Sequence, residues 1–158
     1  MSILKFERRT PKSLRGMYNY LTAEDKTTRE GIFGIGCNPH YAAEEMQFVR
    51  DIYQKNHIFH SYIQVIFAFD EGLFLPLNDI RQICMDIGQA LLLDKRQLFG
   101  AIHYLGQNNF KIHCHYIINY IGIDGSLYNQ LHSLRFYKNR INDILKHYHL
   151  TPIVMYEG

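Results

Sequence analysis

Two hydrophobic periods run through this chain, and the switches between them mark out its elements. Over residues 112–119 the period is two. Ile112, Cys114, Tyr116 and Ile118 point one way, and His113, His115 and Asn119 point the other. The same two-faced pattern predicts a long strand over residues 59–70. Phe59, Ile63, Val65, Phe67 and Phe69 form its apolar face, opposite His60, Gln64, Ala68 and Asp70. Shorter strands are expected over residues 2–6, 32–36, 99–103 and 152–156. A helical period governs residues 13–22, behind Pro11, and residues 40–54 through Ala42, Met46, Val49 and Tyr53. It returns over residues 78–92 (Ile80, Ile83, Cys84, Ile87, Leu91) and 133–148 (Tyr137, Ile141, Ile144, Leu145, Tyr148). Asp124-Gly125 is a tight-turn signal. Strands interrupted by helices predict an α+β fold: a central antiparallel sheet with helices on one face and an open polar face left for a ligand.

Composition adds bounds. At 158 residues, with 47% hydrophobic and 20% charged positions, the expectation is one domain over residues 1–158. The net charge is only +2, but Lys5, Arg8, Arg9, Lys12 and Arg15 crowd one end, followed by Lys26 and Arg29. A local basic patch matters more to phosphate binding than the total does. Cys37, Cys84 and Cys114 are odd in number and lack CxxC spacing, so a disulfide framework is not expected and a cytoplasmic location is. No signal peptide is expected, and no apolar run is long enough to span a bilayer.

The chemistry gathers around the histidines. A hairpin through Gly106-Gln107-Asn108-Asn109 would bring His103 beside His113 and His115. Three neutral imidazoles on adjacent strands, with a coordination position open, is the arrangement of a catalytic metal rather than a structural one. Cys114 points away from its two neighbours, which argues against a His-Cys-His clamp.

With these residues in view, the chain resembles the relaxase/mobilization nucleases of the HUH endonuclease superfamily, in particular the small ones of Gram-positive conjugative and mobilizable elements. Residues 20–27, Tyr-Leu-Thr-Ala-Glu-Asp-Lys-Thr, resemble that family's nucleophile segment. Gly34-Ile35-Gly36-Cys37-Asn38-Pro39 resembles the stretch before its first long helix, and residues 63–71 its central strand. His103, then His113-x-His115-x-x-x-Asn119, resembles its metal motif. There are two departures: Ala68 stands where a serine is frequent, and Leu105 where an acid commonly follows the first histidine. Asp70 or Glu71 would be the replacement carboxylate.

The resemblance implies DNA nicking at a transfer origin by attack of a tyrosine, leaving a 5′-phosphotyrosine and a free 3′-OH. It implies Tyr20 as nucleophile, His103, His113 and His115 as ligands of Mn²⁺ or Mg²⁺, and Asn119 as a catalytic residue orienting a histidine or the phosphate. Arg8, Arg9, Lys12 and Arg15 would contact DNA, while Lys26 and Thr27 either hold a phosphate or brace their loop. The implied partners are single-stranded DNA and an origin hairpin, with relaxosome accessory proteins and a coupling protein to unwind and deliver the strand. The helical period supports Tyr20 independently: Leu14, Met17, Tyr18 and Leu21 share one stripe and Tyr20 lies off it. The rival, Tyr137, would make the chain a rolling-circle replication initiator or single-strand transposase, but it lies on the apolar stripe of its helix. A third reading is an origin-binding protein that keeps the fold without cleaving.

Overall fold

The computed structural model describes residues 2–7, 10–70, 72–106, 111–130 and 132–155. Five strands form one sheet: β1 (Ile3–Glu7), β2 (Ile32–Ile35), β3 (Tyr62–Ala68), β4 (Leu98–His103) and β5 (His113–Asn119). Their order is β1-β3-β5-β4-β2, and every neighbouring pair is antiparallel. Four helices complete the α+β fold: α1 (Leu14–Leu21), α2 (Ala42–Ile52), α3 (Leu77–Leu91) and α4 (Leu134–His147). Among the described residues, no helix is long and apolar enough to cross a membrane.

Local chemistry sets the helix starts. Ser13 caps α1, its side chain accepting from the Gly16 N–H at 3.0 Å, and Ser133 caps α4 by accepting from Phe136. The α3 stripe foreseen from the sequence is buried throughout. It packs with Tyr137, Ile141 and Leu145 of α4 against Val65, Phe67, Cys114, Tyr116 and Ile118 on one sheet face. Gly100 belongs to this layer. A Cβ there would run into the Phe33 ring at Cζ, so the ring occupies the space a side chain would need.

The expectation of a wholly open second face is corrected. Leu14, Met17 and Leu21 of α1, with Ala42 and Met46 of α2, pack against Ile32, Tyr62, Phe99, Ala101 and Ile117 on the other side of the sheet. The physical reason is the apolar run of β4, every residue of which is buried; a strand covered on both faces reads as continuous rather than alternating hydrophobicity. What remains of the open face is its histidine end and the flank along β1 and β3, where Ile3 and Lys5 stand in register with Ala68 and Ile66.

Strand boundaries also differ from expectation. Residues 59–61 lie outside β3, with Phe59 exposed and Arg50 of α2 donating to the carbonyls of Ile58 and His60. The expected last strand reduces to a bridge of Ile153 to Ser2, Tyr156 lying outside the described residues. The β4–β5 pairing is the predicted one, while residues 107–110 of its turn lie outside the described residues.

Candidate metal centre and nucleophile

Register brings the three imidazoles together. His103 pairs directly with His113 across β4 and β5, and His115 pairs with Ala101 on the same face. The ring centroids are 5.1 Å apart for His103–His113, 4.4 Å for His103–His115 and 5.1 Å for His113–His115. One nitrogen from each lies within 4.8 Å of the others, close enough to share an ion. Among the described residues this is the one such group of histidine, cysteine and acidic side chains.

The outward hydrogen bonds decide which nitrogens are bare. A carbonyl can only accept, so His103 donates from Nε2 to the Leu21 carbonyl at 2.9 Å, and His113 from Nδ1 to that of Lys111 at 3.3 Å. His115 Nδ1 faces Gln64 Oε1 at 3.0 Å. The lone pairs that the two carbonyl bonds leave for the interior of the cluster are His103 Nδ1 and His113 Nε2. Burial holds the rings neutral. It lowers the His103 pKa to about 4, partly opposed by the Leu21 bond, with the charge of His113 and then Lys26 adding to the lowering. Burial, then His103, His113 and Lys26, lower that of His115 to about 3, and burial also lowers that of His113. Three neutral nitrogen donors with outer partners meet the requirements of a divalent transition-metal site. Magnesium prefers oxygen, so the donor set fits manganese better.

Tyr20 sits in the last turn of α1, one residue before the carbonyl that His103 holds. It is 49% exposed, whereas Leu21 beside it is fully buried. Lys26 Nζ lies 3.3 Å from the centroid of the Tyr20 ring and donates to the Tyr20 carbonyl, while Lys12 Nζ stands 5.1 Å from the same ring. The Lys26 carbonyl accepts from the N–H groups of Tyr104 and Leu105, immediately after His103. Phenol, two ammonium groups and the end of β4 are therefore tied into one neighbourhood.

Other sequence-derived candidates fare differently. Asn119 shares the histidine face, but it is four residues along β5 from His115, roughly 13 Å at strand rise. It is fully buried, donating to Gln97 Oε1 and the Met46 carbonyl and accepting from the Ile121 N–H. It braces the far end of the sheet and is not brought to the imidazoles. Of the two expectations for Thr27, its surroundings favour the second: it is 3% exposed, packed against Gly31, and its hydroxyl faces the Thr28 carbonyl, as a residue bracing its loop does. Arg15 is engaged by Glu44 of α2 and lies over the Tyr18 ring. Arg8, Arg9 and Glu71 lie outside the described residues. Tyr137 is buried against Phe6 beneath the sheet face opposite the histidines. Gln64 is the site residue that the local sequence pattern does not single out. Strand alternation places it on the site face, but only the β3–β5 register puts it beside His115.

The result is a five-stranded antiparallel sheet with four helices, carrying three clustered histidines on adjacent strands beside the C-terminal turn of α1. A solved structure described as "Molecular Basis of Vancomycin Resistance Transfer in Staphylococcus aureus" is similar, with a TM-score of 0.56 and 11% sequence identity, covering 100% of both chains. A comparison with curated proteins finds no match. Residues 18–150 match the family described as "Relaxase: MobA/VirD2-like, nuclease domain", and the chain belongs to that family. Membership supports DNA nicking for mobilization, on single-stranded DNA, as the activity.

Proposed function

We propose that this protein is a metal-dependent, site- and strand-specific DNA nickase and transesterase that uses Tyr20 as nucleophile. The observation that carries the reading is the bond from His103 to the Leu21 carbonyl, which fixes the turn bearing Tyr20 against the imidazole cluster. The Tyr20 hydroxyl releases its proton to solvent as its oxygen attacks the scissile phosphorus, a tyrosyl O–P bond forms, the P–O3′ bond breaks, and the departing 3′ oxygen takes a proton from solvent. The product is a 5′-phosphotyrosine with a free 3′-OH, and it keeps the bond energy needed for later rejoining.

His103, His113 and His115 would hold Mn²⁺ or Mg²⁺, and such an ion supplies positive charge to the phosphate without the cancellation that carboxylate ligands would bring. Lys26 and Lys12 add charge beside the phenol ring. The strand would approach along the flank where Ile3, Lys5, Ile66 and Ala68 leave the sheet uncovered. An origin hairpin, accessory proteins, a coupling protein and a cytoplasmic setting complete the proposal.

The test is incubation with labelled single-stranded origin DNA and Mn²⁺, followed by denaturing electrophoresis and mass mapping of the adduct. The expected result is a covalent adduct on Tyr20, absent in Tyr20→Phe and after EDTA, present in Tyr137→Phe. Tight hairpin binding with no adduct under any divalent metal would leave an origin-binding protein in its place.

A further inference from the structure

We infer that Gln64 is a positioning residue for the metal centre: its amide oxygen holds the His115 ring with Nδ1 protonated, so that Nε2 is presented to the ion. The inference rests on the metal reading above and goes beyond it by assigning a residue to the control of one ligand. Three observations support it. Gln64 Oε1 lies 3.0 Å from His115 Nδ1. The side chain is only 8% exposed, and β3 is flanked by β1 and β5, so its placement is set by strands rather than by a loop. Its geometry also follows from register. Gln64 pairs with Ile117 and His115 with Ile66, which makes Gln64 and His115 diagonal neighbours on one face, within reach of a long side chain.

The chemical type matters as much as the placement. His103 and His113 lean on main-chain carbonyls, which no substitution can remove, whereas His115 leans on a side chain. An amide fixes the tautomer without bringing a negative charge to the cluster. A carboxylate at this position would fix the same tautomer, raise the basicity of the imidazole and tighten metal binding. Gln64 is thus the side chain that meets the outward nitrogen of His115. The opposite amide orientation would have Gln64 donate to Nδ1, place the ring proton on Nε2 and aim it into the cluster.

Two measurements separate the assignment from the metal reading. In the metal-free wild type at pH 7, long-range ¹H–¹⁵N correlation spectra should show His115 protonated at Nδ1, and Gln64→Leu should lose that preference. By calorimetric titration with Mn²⁺, Gln64→Leu should bind roughly 10- to 100-fold more weakly than wild type, and Gln64→Glu at least as tightly. A wild-type His115 protonated at Nε2, or Gln64→Leu binding Mn²⁺ as wild type does, overturns the inference. A wild type with the expected tautomer but no Mn²⁺ binding sinks the metal reading and leaves the Gln64–His115 assignment supported. The wild-type spectrum and the Gln64→Glu titration keep the test decisive even if Gln64→Leu fails to fold.

Discussion

Acid should destabilise this protein well before its carboxylates titrate, and His115 sets the scale. Its pKa is about 3 in the folded state against a reference of 6.5, so between those values the unfolded chain binds a proton that the folded chain refuses. Stability therefore rises with pH in that window and falls as pH drops below 6.5. Integrating from pH 7 to pH 5 gives a loss of about 2 kcal/mol from this one ring. His103, at about 4, acts in the same direction, but two adjacent imidazoles titrate as a pair and their effects do not simply add. Lowered carboxylates such as Asp51 and Asp124 act in the same direction but at lower pH: their stabilisation is present above their unfolded values and is lost only as pH falls through the folded ones, below about pH 5. For a chain of this size about 2 kcal/mol corresponds to a fall in Tm of roughly 4–8 °C. Thermal unfolding followed by circular dichroism in EDTA at pH 7, 6 and 5 measures it. His115→Gln should reduce the slope, the remainder coming from His103. A Tm unchanged from pH 7 to 5, or an undiminished slope in His115→Gln, would refute the burial argument.

Asn119→Ala should lower stability by about 1–3 kcal/mol in urea unfolding, by leaving Gln97 and the Ile121 N–H unpaired, while the cleavage rate per folded molecule stays near wild type. A large rate loss in stable protein would restore Asn119 to the catalytic machinery. Gly100→Ala should cost about 1–3 kcal/mol because Phe33 must give way, measured by the same denaturation. Lys12→Ala and Lys26→Ala should each weaken single-strand binding and make the slope of log K against log salt shallower, read by fluorescence anisotropy across a salt series. An unchanged slope in both would remove them from the DNA contact.

Much of the fold is legible in the sequence because its elements obey simple periods. The α3 stripe survives intact, since it has one strongly apolar face with a single partner layer, whereas the alternation in β5 holds at its histidine end and gives way to burial on both faces from Tyr116 onward. The departures share a cause: a period says which way a side chain points but not what covers it or how far along it lies. Alternation puts Asn119 on the histidine face, yet strand rise carries it to the other end of the sheet. It draws β3 out to Phe59, where the chain has already left the sheet. The burial of both sheet faces is written only in the apolar run of β4, a strand too short to announce it by period alone. Thr27 resembles a phosphate ligand because it follows Lys26, but the turn at Gly31 seals it inside. Gln64 depends on which strand lies beside which, and that order, β1-β3-β5-β4-β2, is not written in any local pattern.

The Leu21 carbonyl also bears on the fate of the severed strand. DNA captured on Tyr20 would hang from the same helical turn that steadies His103, so the cut end stays moored where it was made. On the proposed mechanism, resealing would then demand no search: an incoming 3′ hydroxyl would find the captured end still in place. Loosening that turn should accordingly damage opening and closure of the strand alike, since one anchor serves both directions.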